Sequence, residues 1–207
     1  TLVSLIPRFY DATAGQVLVD GVDVKDYTFD ALYDKLGYVT QKAVLFSGSV
    51  KDNVFFGESA VKEDDADLKS AIEISQAEEF IEKLPEGTEH HIAQMGRNVS
   101  GGQKQRLSIA RALARKPEIL VFDDSFSALD YRTDAKLREG LVKELPGTTK
   151  VIVAQRISTI MNAEQIVVLE EGRVVGIGNH DFLMQTCPVY QDIAKSQMKG
   201  DVNHERE

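Results

Sequence analysis

Residues 98–106, of sequence NVSGGQKQR, constrain the fold of this 207-residue chain more than any other stretch. Ser100 is followed three residues later by Gln103, which is the spacing of a capping box, so we predict that a helix begins here. Apolar residues then recur at helical spacing until a proline ends the pattern. Gly101 and Gly102 have no side chains to block the first turn, whose N–H groups are therefore free to bind an anion. The sequence predicts an anion site at this helix start.

A short apolar run over residues 119–122 follows the predicted helix. Such a run is typical of a strand that is covered on both faces of a parallel sheet. It ends in Asp123 and Asp124, and α/β sheets bind their ligands at the carboxyl ends of parallel strands. Taken singly, Gly-Gly before a helix is more often a turn, and Asp-Asp after a strand is more often a solvated loop. Their order and spacing together favour a functional site.

These motifs, with the sequence SALD at 127–130, resemble the signature motif, the Walker B strand and the D-loop of the ATP-binding-cassette (ABC) ATPases. The resemblance covers essentially the whole chain. It implies an α/β fold, a P-loop NTPase (RecA-like) core with a mostly parallel sheet plus an α-helical subdomain that carries the signature motif. We expect residues 1–57 and 116–207 to form the core and residues 58–115 to form the helical subdomain.

The first residues resemble the segment that follows the P-loop in this family. The P-loop pattern itself, G-x-x-x-x-G-K-[S/T], occurs nowhere in the chain. We therefore expect a fragment that starts just past the P-loop, without the N-terminal strands and the phosphate cradle. Such a fragment is expected to be inactive by itself.

Gln41 follows a second predicted strand, over residues 36–40, and the segment 41–54 resembles the Q-loop of ABC exporters. The resemblance implies that Gln41 contacts Mg²⁺ or the attacking water, and that the loop after it contacts the transmembrane domain. The form FSGSV at 46–50 is typical of exporters rather than importers.

The resemblance also implies the remaining site residues. ABC domains bind ATP between two subunits arranged head to tail, and Asp123 would hold Mg²⁺ through water while Asp124 acts as the general base. The predicted nucleotide contacts are Ser100, Gly101, Gly102, Gln103 and Asp130.

Two of the predicted catalytic residues depart from the family pattern. Active members have glutamate where this chain has Asp124, and histidine where it has Gln155. Aspartate is one methylene shorter, and a displacement of about 1 Å can cost about 10²-fold in rate. An amide neither titrates nor carries a positive charge. The combination resembles the degenerate half of a heterodimeric multidrug-type exporter, in which this chain's signature motif completes the partner's site.

Composition limits the other function classes. The net charge of −9 argues against wide binding to nucleic acid, which needs a basic surface. A single cysteine, Cys187, excludes an internal disulfide and suits a reducing compartment. No run is apolar enough to span a bilayer, so we expect a soluble chain held at the cytoplasmic face of the membrane by its transmembrane domain.

The sequence leaves two alternative functions. A non-catalytic regulatory module that binds nucleotide or only a partner is favoured by the two departures and by the missing P-loop motif. A soluble ABC ATPase of DNA repair or chromosome organisation requires a long coiled-coil insertion, which is not found in these residues.

Periodicity predicts three further elements. A single helix is expected over residues 68–84, and a hairpin is expected with strands at 165–169 and 173–176. The remainder of the chain, including Pro188 and the charged end 199–207, is expected to form short helices and a tail.

Overall fold

The computed structural model describes residues 2–57 and 64–204, with side chains up to residue 197. The chain divides into two compact units, one up to Val153 and one from Ala154 onward. The strands are β1 (Leu18–Val19), β2 (Val22–Asp23), β3 (Leu36–Val39), β4 (Gly48–Ser49), β5 (His91–Ile92), β6 (Ile119–Asp123), β7 (Thr149–Val153), β8 (Ile166–Glu170) and β9 (Arg173–Gly178). The α-helices are α1 (Phe29–Lys35), α2 (Val50–Val54), α3 (Asp65–Ile74), α4 (Glu78–Ile81), α5 (Gly101–Ala114), α6 (Tyr131–Glu144), α7 (Ile157–Ile160), α8 (His180–Thr186) and α9 (Pro188–His204).

A parallel sheet of strand order β3-β6-β7 forms the centre of the first unit. The middle strand, β6, is fully buried at Leu120, Val121 and Phe122, as its continuous apolar sequence predicts. Because the three strands run in the same direction, their carboxyl ends lie at one edge of the sheet. The predicted α/β class with a parallel sheet is confirmed.

Helix α5 begins where the sequence predicts. Ser100 Oγ accepts a hydrogen bond from the backbone N–H of Gln103 at 3.3 Å, and the Ser100 N–H donates to Gln103 Oε1 at 2.8 Å. These two bonds are the reciprocal pair of a capping box. The apolar face of α5, with Leu107 and Ile109 fully buried, packs into the main core of the unit.

Two side chains of α5 hold the segment between β3 and the end of α2. Gln105 is 1% exposed, and its Nε2 donates to the backbone carbonyl of Thr40 at 3.1 Å. One turn and a half further on, Arg111 donates to the carbonyl of Asn53 at 2.7 Å and to that of Val44 at 3.0 Å. The helix that carries the signature-like motif is therefore bonded to both ends of the segment that contains the predicted Q-loop.

The single helix predicted over residues 68–84 is wrong, because the structure has two helices there, α3 and α4. Between them Gln76 has a φ of 59°, and Ser75 Oγ donates to the carbonyl of Ile72 at 3.0 Å. A non-glycine residue in the left-handed region interrupts an α-helix. The apolar periodicity continues across the break because both helices bury residues in the same core.

The second unit contains the predicted hairpin. β8 and β9 pair antiparallel around Glu171 and Gly172, with a register shift between Val168 and Leu169. Helix α9 begins at Pro188, a residue favoured in the first helical turn. It continues to His204, so α9 is longer than expected and takes up most of the charged end, whereas α8 is one of the short helices expected here; residues 205–207 lie outside the described part.

The predicted subdomain boundaries and the prediction on membrane spans concern the chain as a whole. The predicted division at residues 57/58 and 115/116 stays a prediction, and residues 58–63 lie outside the described residues. No described helix has the length and apolar character needed to cross a bilayer.

Candidate nucleotide and metal site

The carboxyl edge of the parallel sheet brings two of the predicted catalytic side chains together. Gln41 follows β3, and its Nε2 donates to Oδ2 of Asp124 at 2.9 Å. Asp124 is only 8% exposed, and its backbone N–H donates to the carbonyl of Val153 at 3.1 Å. Its φ of 50° lies in the left-handed region, which aspartate tolerates better than most residues and which recurs at functional sites. The amide of Gln41 thus fixes a buried carboxylate directly after β6.

Asp123, the last residue of β6, is held by a residue that was not predicted from the sequence. The hydroxyl of Tyr38 donates to Oδ2 of Asp123 at 2.9 Å. Burial, and then the Asp123 carboxylate, raise the pKa of Tyr38, so its hydroxyl stays protonated and able to donate near neutral pH. Alternation along β3 could have indicated which face Tyr38 occupies, but its contact depends on the pairing of β3 with β6.

The oxygen atoms at this edge fit a magnesium ion. Mg²⁺ prefers oxygen ligands, keeps several waters and needs only one or two carboxylates in addition to substrate phosphates. Tyr38 donates to Oδ2 of Asp123, and none of the described residues donates a hydrogen bond to its other oxygen, Oδ1. Gln41 contacts Asp124 through its nitrogen, which leaves its carbonyl oxygen as a possible ligand. Asp123 and Gln41 would hold the ion, which supplies positive charge to bound phosphates.

The start of α5 fits an anion such as a phosphate. A Cβ added at Gly101 would meet no heavy atom within 4 Å, and one at Gly102 would lie 3.6 Å from the carbonyl of Ala128. The 14-residue helix presents its N–H groups and a partial positive charge at this open end. Ser100 and Gln103 cap each other, but Ser100 Oγ acts there as an acceptor and keeps its own proton for another partner.

The two remaining predicted site residues are Asp130 and Gln155, which accept hydrogen bonds from Thr133 and Gln197 respectively. Asp130 is the N-cap of α6 and accepts hydrogen bonds from Thr133, from its N–H at 2.9 Å and its Oγ1 at 2.7 Å. The backbone bond from Thr133 lowers the pKa of Asp130. Gln155 belongs to the second unit, where its side chain is exposed and its carbonyl accepts from Gln197 Nε2 at 2.6 Å. The roles of both residues stay predictions.

Comparison with known proteins identifies the family. The family model described as ABC transporter matches residues 1–127. An uncharacterized ABC transporter ATP-binding protein of Mycobacterium tuberculosis is 46% identical over 200 residues, which are 95% of this chain and 34% of that protein. The putative multidrug export ATP-binding/permease protein YgaD of Bacillus subtilis is 43% identical over 196 residues, 93% of this chain and 33% of its own length.

A solved structure shows the same fold. The structure of a bacterial Atm1-family ABC exporter with ATP bound matches with a TM-score of 0.89 and 34% sequence identity, over 95% of this chain and 34% of that one. The chain therefore spans about a third of the length of the relatives it matches. On its sequence and its fold, it belongs to the ABC transporter family and corresponds to the ATP-binding domain, with the P-loop NTPase fold of that family.

Proposed function

We propose that this chain is the ATP-binding and ATP-hydrolysing domain of an ABC exporter that moves small molecules across a membrane. One relative is named as a putative multidrug export ATP-binding/permease protein, and the matching solved structure is that of an ABC exporter with ATP bound. These names support a transmembrane domain as the partner, and we propose that the chain lies at the cytoplasmic face of the membrane. ATP and Mg²⁺ are the proposed ligands.

The hydrogen bond between Gln41 Nε2 and Asp124 Oδ2, at 2.9 Å, is the observation that carries this proposal. Hydrolysis of a phosphoanhydride needs a group that orients or deprotonates the attacking water, together with positive charge on the phosphates. Asp124 is the proposed base, Gln41 holds its carboxylate, and Asp123 with Gln41 binds Mg²⁺. Such a base contributes about 10²–10⁴-fold to the rate.

We further propose that the domain works in a head-to-tail heterodimer with a second ABC ATP-binding domain. Its own site is slow, since Asp124 is shorter than the usual glutamate and Gln155 replaces the usual histidine. Ser100, Gly101, Gly102 and Gln103 serve the site whose phosphates the partner holds, and Asp130 contacts the nucleotide there. The open helix start at Gly101 supports this role.

Two substitutions in the complete heterodimer test the asymmetry. Gly101→Asp puts a carboxylate against the partner's γ-phosphate, and we expect it to nearly abolish steady-state ATP hydrolysis. Asp124→Asn disables only a site that is already slow, so most of the hydrolysis is expected to remain. The proposal of a degenerate site is wrong if Asp124→Asn proves the more damaging change.

A non-catalytic module that binds nucleotide or a partner is the alternative function. The residues Asp124 and Gln155 favour it, because both weaken the chemistry that the family uses. A single-turnover ATPase assay on the full-length heterodimer, with the partner's own base mutated, separates the two functions. A slow release of phosphate from the remaining site supports the enzyme, whereas its complete absence supports the module.

A further inference from the structure

Tyr38 is held beside the proposed magnesium ligand by contacts of its hydroxyl and of its ring. Its hydroxyl donates to Oδ2 of Asp123 at 2.9 Å, and its ring meets that of Phe9 edge-on, with centroids 5.2 Å apart at 67°. Tyr38 is aligned with Val121 in the pairing of β3 with β6. Since side chains two residues apart on a strand share a face, Tyr38 and Asp123 lie on the same face of the sheet. The contact is therefore a consequence of the sheet register.

The hydroxyl of Tyr38 restricts the Asp123 carboxylate. An aspartate carboxylate turns easily about its Cβ–Cγ bond, because that torsion has broad minima. Tyr38 occupies Oδ2, whereas Oδ1 accepts no hydrogen bond from the described residues. One oxygen is thus held by the protein and the other is left for a metal ion or its bound water. Partners that orient a metal ligand in this way typically contribute 10–100-fold to metal affinity.

We propose that Tyr38 is a positioning residue of the magnesium site, which orients Asp123 so that Oδ1 is available to the ion. The proposal rests on the proposed function, since it takes Asp123 as the ligand. Tyr38→Phe removes the hydroxyl and keeps the ring that contacts Phe9. We expect this variant to weaken metal binding about tenfold. Its affinity for ATP in the absence of divalent ions is expected to be unchanged.

The test uses the full-length protein and measures metal binding directly. Mn²⁺ is the probe, because its free ion is counted by electron paramagnetic resonance while it titrates the protein in the presence of saturating ADP. The Mg²⁺ concentration that gives half-maximal ATPase activity is measured in parallel. Tyr33→Phe is the matched control. The ring of Tyr33 also contacts a phenylalanine, Phe29, but Tyr33 is not next to a predicted metal ligand in the sequence and is not a predicted site residue. It is expected to leave both quantities unchanged.

A double-mutant cycle separates positioning from a structural role. In the Asp123→Asn background, Tyr38→Phe is expected to change the Mn²⁺ affinity by less than about twofold, because its effect passes through the carboxylate. If Tyr38→Phe lowers the Mn²⁺ affinity equally in the wild-type and Asp123→Asn backgrounds, the proposal is overturned. It is also overturned if Tyr38→Phe binds Mn²⁺ like the wild type while Asp123→Asn binds it weakly. If Asp123→Asn itself binds Mn²⁺ like the wild type, the magnesium site of the proposed function is wrong, and this inference fails with it.

Discussion

Replacing Arg111 by methionine tests how α5 stabilises the segment packed on it. The guanidinium donates to the Asn53 carbonyl at 2.7 Å, to the Val44 carbonyl at 3.0 Å and to Asn53 Oδ1 at 3.2 Å. It also lies 5.5 Å from the ring centroid of Phe46 and 5.4 Å from that of Phe56, two rings that stack on each other. Burial lowers the pKa of Arg111 to about 10, so the group still carries its charge at neutral pH. Among the described residues, no carboxylate forms an ion pair with it.

The expected loss follows from the groups that methionine cannot satisfy. Asn53 is 1% exposed, and a buried carbonyl that loses its donor costs about 1–3 kcal/mol. Val44 is 51% exposed, so water can replace the donor to its carbonyl. The contacts with the exposed rings add about 0.5–1 kcal/mol, while relief of the guanidinium's desolvation acts in the opposite direction. We expect Arg111→Met to lower the free energy of unfolding by about 2–3 kcal/mol.

The assay measures the urea unfolding of the purified protein, with circular dichroism used to monitor the transition. Lys83→Met is the control, because the Lys83–Glu79 ion pair, with an N–O distance of 2.7 Å, joins side chains that are 70% and 80% exposed, and such pairs contribute about 0–1 kcal/mol. Arg111→Lys is expected to recover only part of the loss, because an ammonium lacks the planar fork. A change of less than about 0.5 kcal/mol in Arg111→Met, the range of an ordinary surface substitution, would refute the reasoning.

Three further predictions concern the sheet and the site. Gly37→Ala would put a Cβ 2.8 Å from Leu120 Cδ2, so we expect a loss of about 1–3 kcal/mol in the same unfolding assay, and a wild-type midpoint would contradict it. In the proposed heterodimer, Asp124→Glu combined with Gln155→His should raise turnover at this site, whereas either change alone should not suffice, because both residues are proposed to act on the same water and γ-phosphate. If single-site turnover is unaltered in the double variant, the defect lies elsewhere. Residues 1–207 alone, which contain no P-loop pattern, should bind Mg-ATP poorly, and calorimetry that finds micromolar affinity would contradict this.

Features that depend on neighbours along the chain could be predicted from the sequence. The capping box at Ser100 and the apolar run that forms β6 are local patterns, and the structure contains both where they were predicted. The turn at Glu171 and Gly172 is equally local and gives the expected hairpin. The break at Gln76 was missed, because apolar residues on both sides of it face the same core and continue the helical period.

The sequence by itself determined the family, through motifs whose order and spacing are read along the chain. Only the tertiary structure decided which side chains meet at the carboxyl edge of the sheet. Gln41 and Asp124 are 83 residues apart in the chain, and Tyr38 and Asp123 are 85 apart. These contacts exist because β3 pairs with β6 in one register, and a shift by one residue would turn the side chains of β3 to the opposite face. No local pattern specifies that register, since it depends on how the whole apolar core packs.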